Sequence, residues 1–98
     1  MKNLAVTLGS KLLKALGNEK RLEILFYLQD QELNVGQLEK MVGLSQSALS
    51  QHLAILRAEN IVKTRRSAQT IFYSIMSDKV LKILTLLDGM YNRHYKSA

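Results

Sequence analysis

The sequence predicts a single, mainly α-helical domain of five or so helices, with one small β-hairpin set before the last of them. Three observations support this. Apolar residues recur at helical spacing from Leu4 to Leu28 and again on either side of Gly43. Between Ile61 and Ile75 the period shortens to about two residues, and β-branched and aromatic residues take over. The chain has 98 residues and no proline, so glycines and capping side chains set the joints, and the length suits one domain.

Leu4, Leu8, Leu12 and Leu16 share one face of a first helix, with Lys11 and Lys14 between them. Gly17 ends it and Asn18 caps the second helix. Glu19 falls in that helix's first turn, where a negative charge meets the positive end of the dipole. Leu22, Leu25, Phe26 and Leu28 form its apolar stripe. After a polar break at residues 29–32, Leu33 can start a short strand. Asn34 can cap a third helix, Val35 to Val42, with Leu38 and Met41 inward. Gly43 stops it, Leu44 is a core plug, and Ser45 caps a fourth helix, Gln46 to Glu59, closed by Asn60. Ile61 to Arg65 and Thr70 to Ile75 form the hairpin, with residues 66–69 as its polar tip. Ser77 and Asp78 begin the last helix. Its apolar positions, Val80, Ile83, Leu84, Leu87, Met90 and Tyr91, are widened by Leu81 and Leu86. A stripe that wide predicts burial against two surfaces, one of them a partner subunit. A chain this short buries a thin core, which pairing would extend.

Two short helices joined through Gly43 and Leu44 make a helix-turn-helix candidate. In the second, Leu49, Leu53 and Leu56 form the inward face. Gln46, Ser47, Ser50 and Gln51 fall on the other side, near the end that meets base edges in this motif. Glutamine can make paired hydrogen bonds to adenine, serine can donate or accept, and a helix N-terminus favours phosphate. A merely wetted helix face ordinarily carries Lys and Glu, whereas this one is uncharged and rich in amides and hydroxyls. Arg57, Lys63, Arg65 and Arg66 follow, with Gln69 at the hairpin tip and Glu59 the single acid between Ser45 and Ile75. A basic hairpin beside such a helix can straddle a groove and reach phosphate or the minor groove. Charge on an edge hairpin also deters aggregation, and the two roles are compatible. His52, on the same helix, reads first as a packing residue, with a base contact or pH switch as the alternative.

Fourteen Lys and Arg against eight Asp and Glu give a formal charge of +6. That excess suggests a polyanionic partner, either nucleic acid or an anionic membrane surface. An apolar fraction of 47% and a charged fraction of 22% describe an ordinary globular chain. With no cysteine, disulfides, thiolate metal sites and thiol switches are excluded. No apolar run approaches the roughly 18–20 residues that span a bilayer. No secretory leader is recognisable, so the expected location is the cytoplasm. Ser50 and His52 are two apart on a helix and point different ways. With no general base, oxyanion turn or metal cluster in sight, no catalytic residue, enzyme activity or cofactor is expected. The residues leave three functions open: sequence-specific binding of duplex DNA, a module that binds another regulator, and a basic amphipathic peripheral membrane protein. The uncharged face from Gln46 to Gln51 favours the first. A docking face would carry an apolar patch there, and a membrane helix Lys and Arg beside Trp or Phe.

Leu44-Ser45-Gln46-Ser47-Ala48-Leu49-Ser50-Gln51-His52-Leu53, then Leu56-Arg57, then residues 62–73 of the hairpin, closely resemble the ArsR/SmtB family. Lys20-Arg21-Leu22-Glu23-Ile24-Leu25 also matches its pattern, so the resemblance covers nearly the whole chain. It is strongest to the branch of nodulation, virulence and biofilm regulators. It implies a winged helix-turn-helix homodimer joined through the first and last helices, with Leu8, Leu12, Leu84, Leu87 and Tyr91 as interface candidates. It also implies a recognition helix matching Gln46 to Arg57 and a wing matching Arg65 to Gln69. The implied function is transcription regulation from an imperfectly palindromic operator in double-stranded DNA. The regulator would repress, or relieve repression by competing with another DNA-binding protein. The family's triggers are missing. Where its metal sensors carry two cysteines, this chain has Glu32-Leu33-Asn34-Val35-Gly36. Phe26 and Asn92 stand where redox-switching members have cysteines. Zinc-binding members use Asp and His of the last helix. Here Asp78, Asp88 and His94 are too few and too scattered for a four-ligand site, so no metal is expected. DNA binding is accordingly expected to be insensitive to zinc, arsenite and peroxide.

Overall fold

The computed structural model of the chain describes residues 3–92; His94 therefore lies outside the described residues. The elements are α1 (Leu4–Leu16), α2 (Glu19–Leu28), β1 (Leu33–Asn34), α3 (Val35–Val42), α4 (Gln46–Ala58), β2 (Val62–Ser67), β3 (Thr70–Ile75) and α5 (Asp78–Tyr91). Asn3, Asn18, Asn34, Ser45 and Ser77 each accept a backbone N–H from the first turn of the helix they precede. Asn34 and Gln37 answer each other in a full capping box, with both bonds at 2.9 Å. Gly43 ends α3 at φ 72°, and its N–H donates to the Glu39 carbonyl. A side chain in that left-handed conformation would be strained, so the turn depends on glycine.

Helix α2 runs through the centre of the core. Its Ile24, Leu25 and Leu28 meet Leu38 and Val42 of α3, and Leu49, Leu53 and Leu56 of α4. Ile61 and Val62 close the core at the hairpin entry, and Val80 and Leu84 close it from α5. The hairpin gains a third strand. Leu33 pairs with Tyr73 and Asn34 with Phe72, so an antiparallel sheet forms in the order β1-β3-β2. Helix, turn, helix and hairpin together make a winged helix-turn-helix.

Two details differ from the periodicity. Met41, expected inward, is 37% exposed, and Val42 is buried in its place. Leu38 and Val42 are one helical turn apart and share the core side, which leaves Met41 on the flank. The hairpin tip is also tighter than expected. Strand β2 continues through Arg66 to Ser67, which pairs with Thr70, so Ala68 and Gln69 alone make the turn. Ala68 stands at φ 56°.

The terminal helices give little to this core. Only Ala15 and Leu16 of α1 and Val80 and Leu84 of α5 are buried. Leu4, Val6, Leu8 and Leu13 on α1, and Leu86, Met90 and Tyr91 on α5, each expose more than half of their surface. Leu84 is wholly buried inside the chain itself. The radius of gyration, 14.4 Å, exceeds the roughly 13 Å of a compact chain of this length. Apolar side chains on both terminal helices are thus left exposed. No helix among the described residues is long and apolar enough to cross a membrane.

Candidate nucleic-acid interface

The placement of α4 follows from its neighbours. Lys20 of α2 donates to the Val42 carbonyl at 3.1 Å and holds the end of α3. Gly43 then reverses the chain, and the Ser45 hydroxyl accepts from the Ala48 N–H at 3.2 Å to start α4. Burial of Leu49, Leu53 and Leu56 turns Gln46, Ser47, Ser50 and Gln51 outward, all four exposed. Ser47 Oγ lies 3.4 Å from Ser45 Oγ. Among the described residues, the amides of Gln46 and Gln51 have no partner within the chain. They present free donors and acceptors at the N-terminal end of the helix.

The wing completes this surface. Gln46 and Ser50 line one open groove with Asn34, Val35 and Gly36 at the start of α3, and with Gln69, Thr70 and Ile71 of the wing. Ser50 continues it into a second stretch with Ala54, Arg57, Val35 and Tyr73. Gln46, Ser50, Arg57 and Gln69 thus come together. Ser47 and Gln51 stand on α4 outside the groove. Asn34, Thr70 and Ile71 are additions that helix periodicity gave no signal for. They belong to the groove because β1 pairs with β3 and brings the start of α3 beside the wing.

Strand alternation divides the wing cations. Side chains two apart share a sheet face. Arg66, opposite Ile71, shares the face of Thr64 and Tyr73, and Ile71 and Tyr73 line the groove. Lys63 and Arg65 take the opposite face. There the Arg65 guanidinium sits 4.7 Å from the centroid of the Phe72 ring. It also grips Glu32 with two hydrogen bonds, Nη2 to Oε1 at 2.8 Å and Nε to Oε2 at 3.0 Å. These bonds, with the charges of Arg65 and Lys63 behind them, hold the Glu32 carboxyl below its ordinary value. Arg65, expected to meet phosphate, is therefore engaged in a strap across β3 that joins β2 to the segment before β1. No sequence signal pointed to it, because the sheet alone brings Glu32 beside Arg65.

His52 faces inward from α4 and is half-buried, with Nδ1 3.3 Å from Nη1 of Arg21. Burial first, and then the charge of Arg21, favours its neutral form. On α5, the Asn92 amide donates to Asp88 at 2.9 Å. Among the described residues no three His, Asp or Glu side chains converge on a point that could hold a metal ion.

Comparison with known proteins places this architecture among relatives. A family model described as bacterial regulatory protein, arsR family, matches residues 18–64, from the cap of α2 through α4 into β2. The nodulation protein NolR of Rhizobium meliloti is 61% identical over 79 residues, which is 81% of this chain and 65% of that protein. The chain thus spans just under two thirds of that relative's length. The transcriptional activator HlyU of Vibrio cholerae is 54% identical over 80 residues, covering 82% of this chain and 74% of the relative. The crystal structure of NolR from Sinorhizobium fredii matches with a TM-score of 0.85 at 49% identity, over 93% of this chain and 97% of that one.

Proposed function

This chain belongs to the arsR family of bacterial regulatory proteins, DNA-binding transcription regulators rather than enzymes, and from that premise we propose that it binds an imperfectly palindromic operator as a homodimer and represses transcription there. The observation that carries the reading is the uncharged, exposed N-terminal face of α4, of which Gln46 and Ser50 share a groove with the wing. Gln46, Ser47, Ser50 and Gln51 read base edges in the major groove. Arg57, Lys63, Arg66 and Gln69 meet phosphate or the minor groove on either side. The formal charge of +6 supports attraction to DNA of any sequence.

The exposed apolar side chains of α1 and α5 support the dimer, with exposed Leu8 and Tyr91 and half-buried Leu12 and Leu87 at the contact. A two-fold protein matches half-sites about one helical turn apart, or a multiple of that. Where the operator overlaps that of another DNA-binding protein, the same occupancy relieves repression by competition. The site of action is the cytoplasm. A gel-shift with random duplex against duplex from the chain's own promoter region tests the proposal. A retarded band that survives excess random duplex is the expected result. No shift with either DNA would favour a module that binds another regulator.

A further inference from the structure

The first turn of α2 carries two cations that reach in opposite directions. Lys20 pairs with Glu23 and holds the end of α3. Arg21 holds the end of α1. Its Nε donates to the Ala15 carbonyl at 2.6 Å and its Nη2 to the Lys14 carbonyl at 3.3 Å. Both carbonyls belong to the last turn of α1; that of Lys14 also accepts the Gly17 N–H at 3.3 Å. Nη1 of the same fork lies 3.3 Å from Nδ1 of His52, in the second turn of α4. One rigid guanidinium therefore touches α1 and α4 at once, from a root on α2. A guanidinium only donates, so Nδ1 accepts and the imidazole is neutral, with its proton on Nε2.

We propose that Arg21 is the positioning residue that sets the angle of α4 against α1, with neutral His52 as its acceptor. The proposal rests on α4 reading DNA and α1 taking part in the dimer contact. The fork then joins the helix that spaces two subunits to the helix that enters the groove. Two recognition helices must meet half-sites a fixed distance apart, so a small tilt of each is felt at both. Gln51 precedes His52 directly and is the base-reading side chain nearest to that joint. Lysine could not replace the fork, since a point charge on a flexible stem cannot hold three acceptors in one plane.

Protonating His52 would set a donor and a second positive charge against the fork. The contact is complete above the ordinary histidine value of 6.5 and is lost as pH falls below it, through the lower value that the folded ring has. Lys11, Lys14 and Glu59 line a groove with Arg21 beside Ile55. Lys20 is paired with Glu23. Burial and the charge of Arg21 are what favour the neutral ring.

The test is fluorescence anisotropy of an operator duplex and a random duplex with the full chain, beside sedimentation for subunit number and circular dichroism for fold. Arg21→Met is expected to stay helical and dimeric, to lose about tenfold in operator affinity, and to change less on random DNA. Arg21→Lys should lose as much although it keeps the charge. His52→Asn places an amide oxygen near the site of Nδ1 and does not titrate. It should bind as the wild type does above pH 6.5 and lose the fall on the acid side. His52→Leu should bind weakly throughout. Should Arg21→Met unfold, Arg21→Lys and the His52 pair decide. Wild-type operator affinity in Arg21→Lys and His52→Leu, or an acid-side fall unchanged in His52→Asn, would overturn the proposal while the DNA-binding reading stands. A wild type with no preference for operator over random duplex would overturn both.

Discussion

Individual side chains on α4 and the wing divide into those left free to meet a ligand and those engaged within the chain. Gln51 is exposed, unpaired and near the helix start. Gln51→Ala is predicted to cost about 1–3 kcal/mol on the operator and much less on random duplex, measured by anisotropy. Equal losses on both would make it a backbone contact. The wing arginines should behave differently from each other. Arg66→Ala is expected to reduce the slope of log affinity against log salt by about one unit. Arg65→Ala should leave that slope close to wild type, because Glu32 already neutralises the guanidinium. Equal slope changes would mean that phosphate draws Arg65 away from Glu32. The polar face of α4 was legible from sequence because helical spacing sorts three apolar-inward and four polar-outward positions without knowledge of neighbours. The occupation of Arg65 was not, because its partner lies 33 residues away and meets it only through the pairing of β1 with β3.

Elements are fixed by their ends, and those ends were mostly readable. Asn18, Asn34, Ser45 and Ser77 cap the helices that they precede, and Gly43 adopts the left-handed turn. The exact tip of the hairpin was not readable, because no Asn-Gly or Asp-Gly signal marks a two-residue turn there. Ala68 takes a positive φ that suits glycine, at a cost of roughly 1–2 kcal/mol for an L side chain. Ala68→Gly is therefore expected to raise the thermal unfolding temperature, by up to about 1 kcal/mol of stability once the freedom of glycine in the unfolded chain is set against the relief. A fall of the same size would show that the wing tip relaxes out of that conformation at no cost. Met41 illustrates a different limit. In an eight-residue helix the apolar stripe is only two turns long, so residues 41 and 42 compete for the inward side and only the packing of α2 decides between them.

The whole molecule is a small core with apolar arms, and its helix order, the presence of a wing and most of its core were legible. The division of α5 between core and exposed surface was not, because a wide stripe does not say which of its edges faces inward. Leu84 fills the core, whereas Leu86, Met90 and Tyr91 are exposed. Leu8→Glu and Tyr91→Glu are predicted to yield a folded monomer in sedimentation that has lost tight operator binding. Leu84→Ala is predicted instead to destabilise the fold by about 2–5 kcal/mol. A dimer that survives both charged substitutions would move the contact elsewhere. The proposed activity is sequence-specific binding of duplex DNA by two copies of this chain. Its most direct test is an anisotropy titration at physiological salt, with duplex from its own promoter against a scrambled duplex of equal length and composition, and stoichiometry read from the saturation point. Two chains per duplex and an affinity about a thousandfold or more above that for the scrambled DNA are expected. Equal affinity for the two duplexes, or saturation at one chain per site, would contradict it.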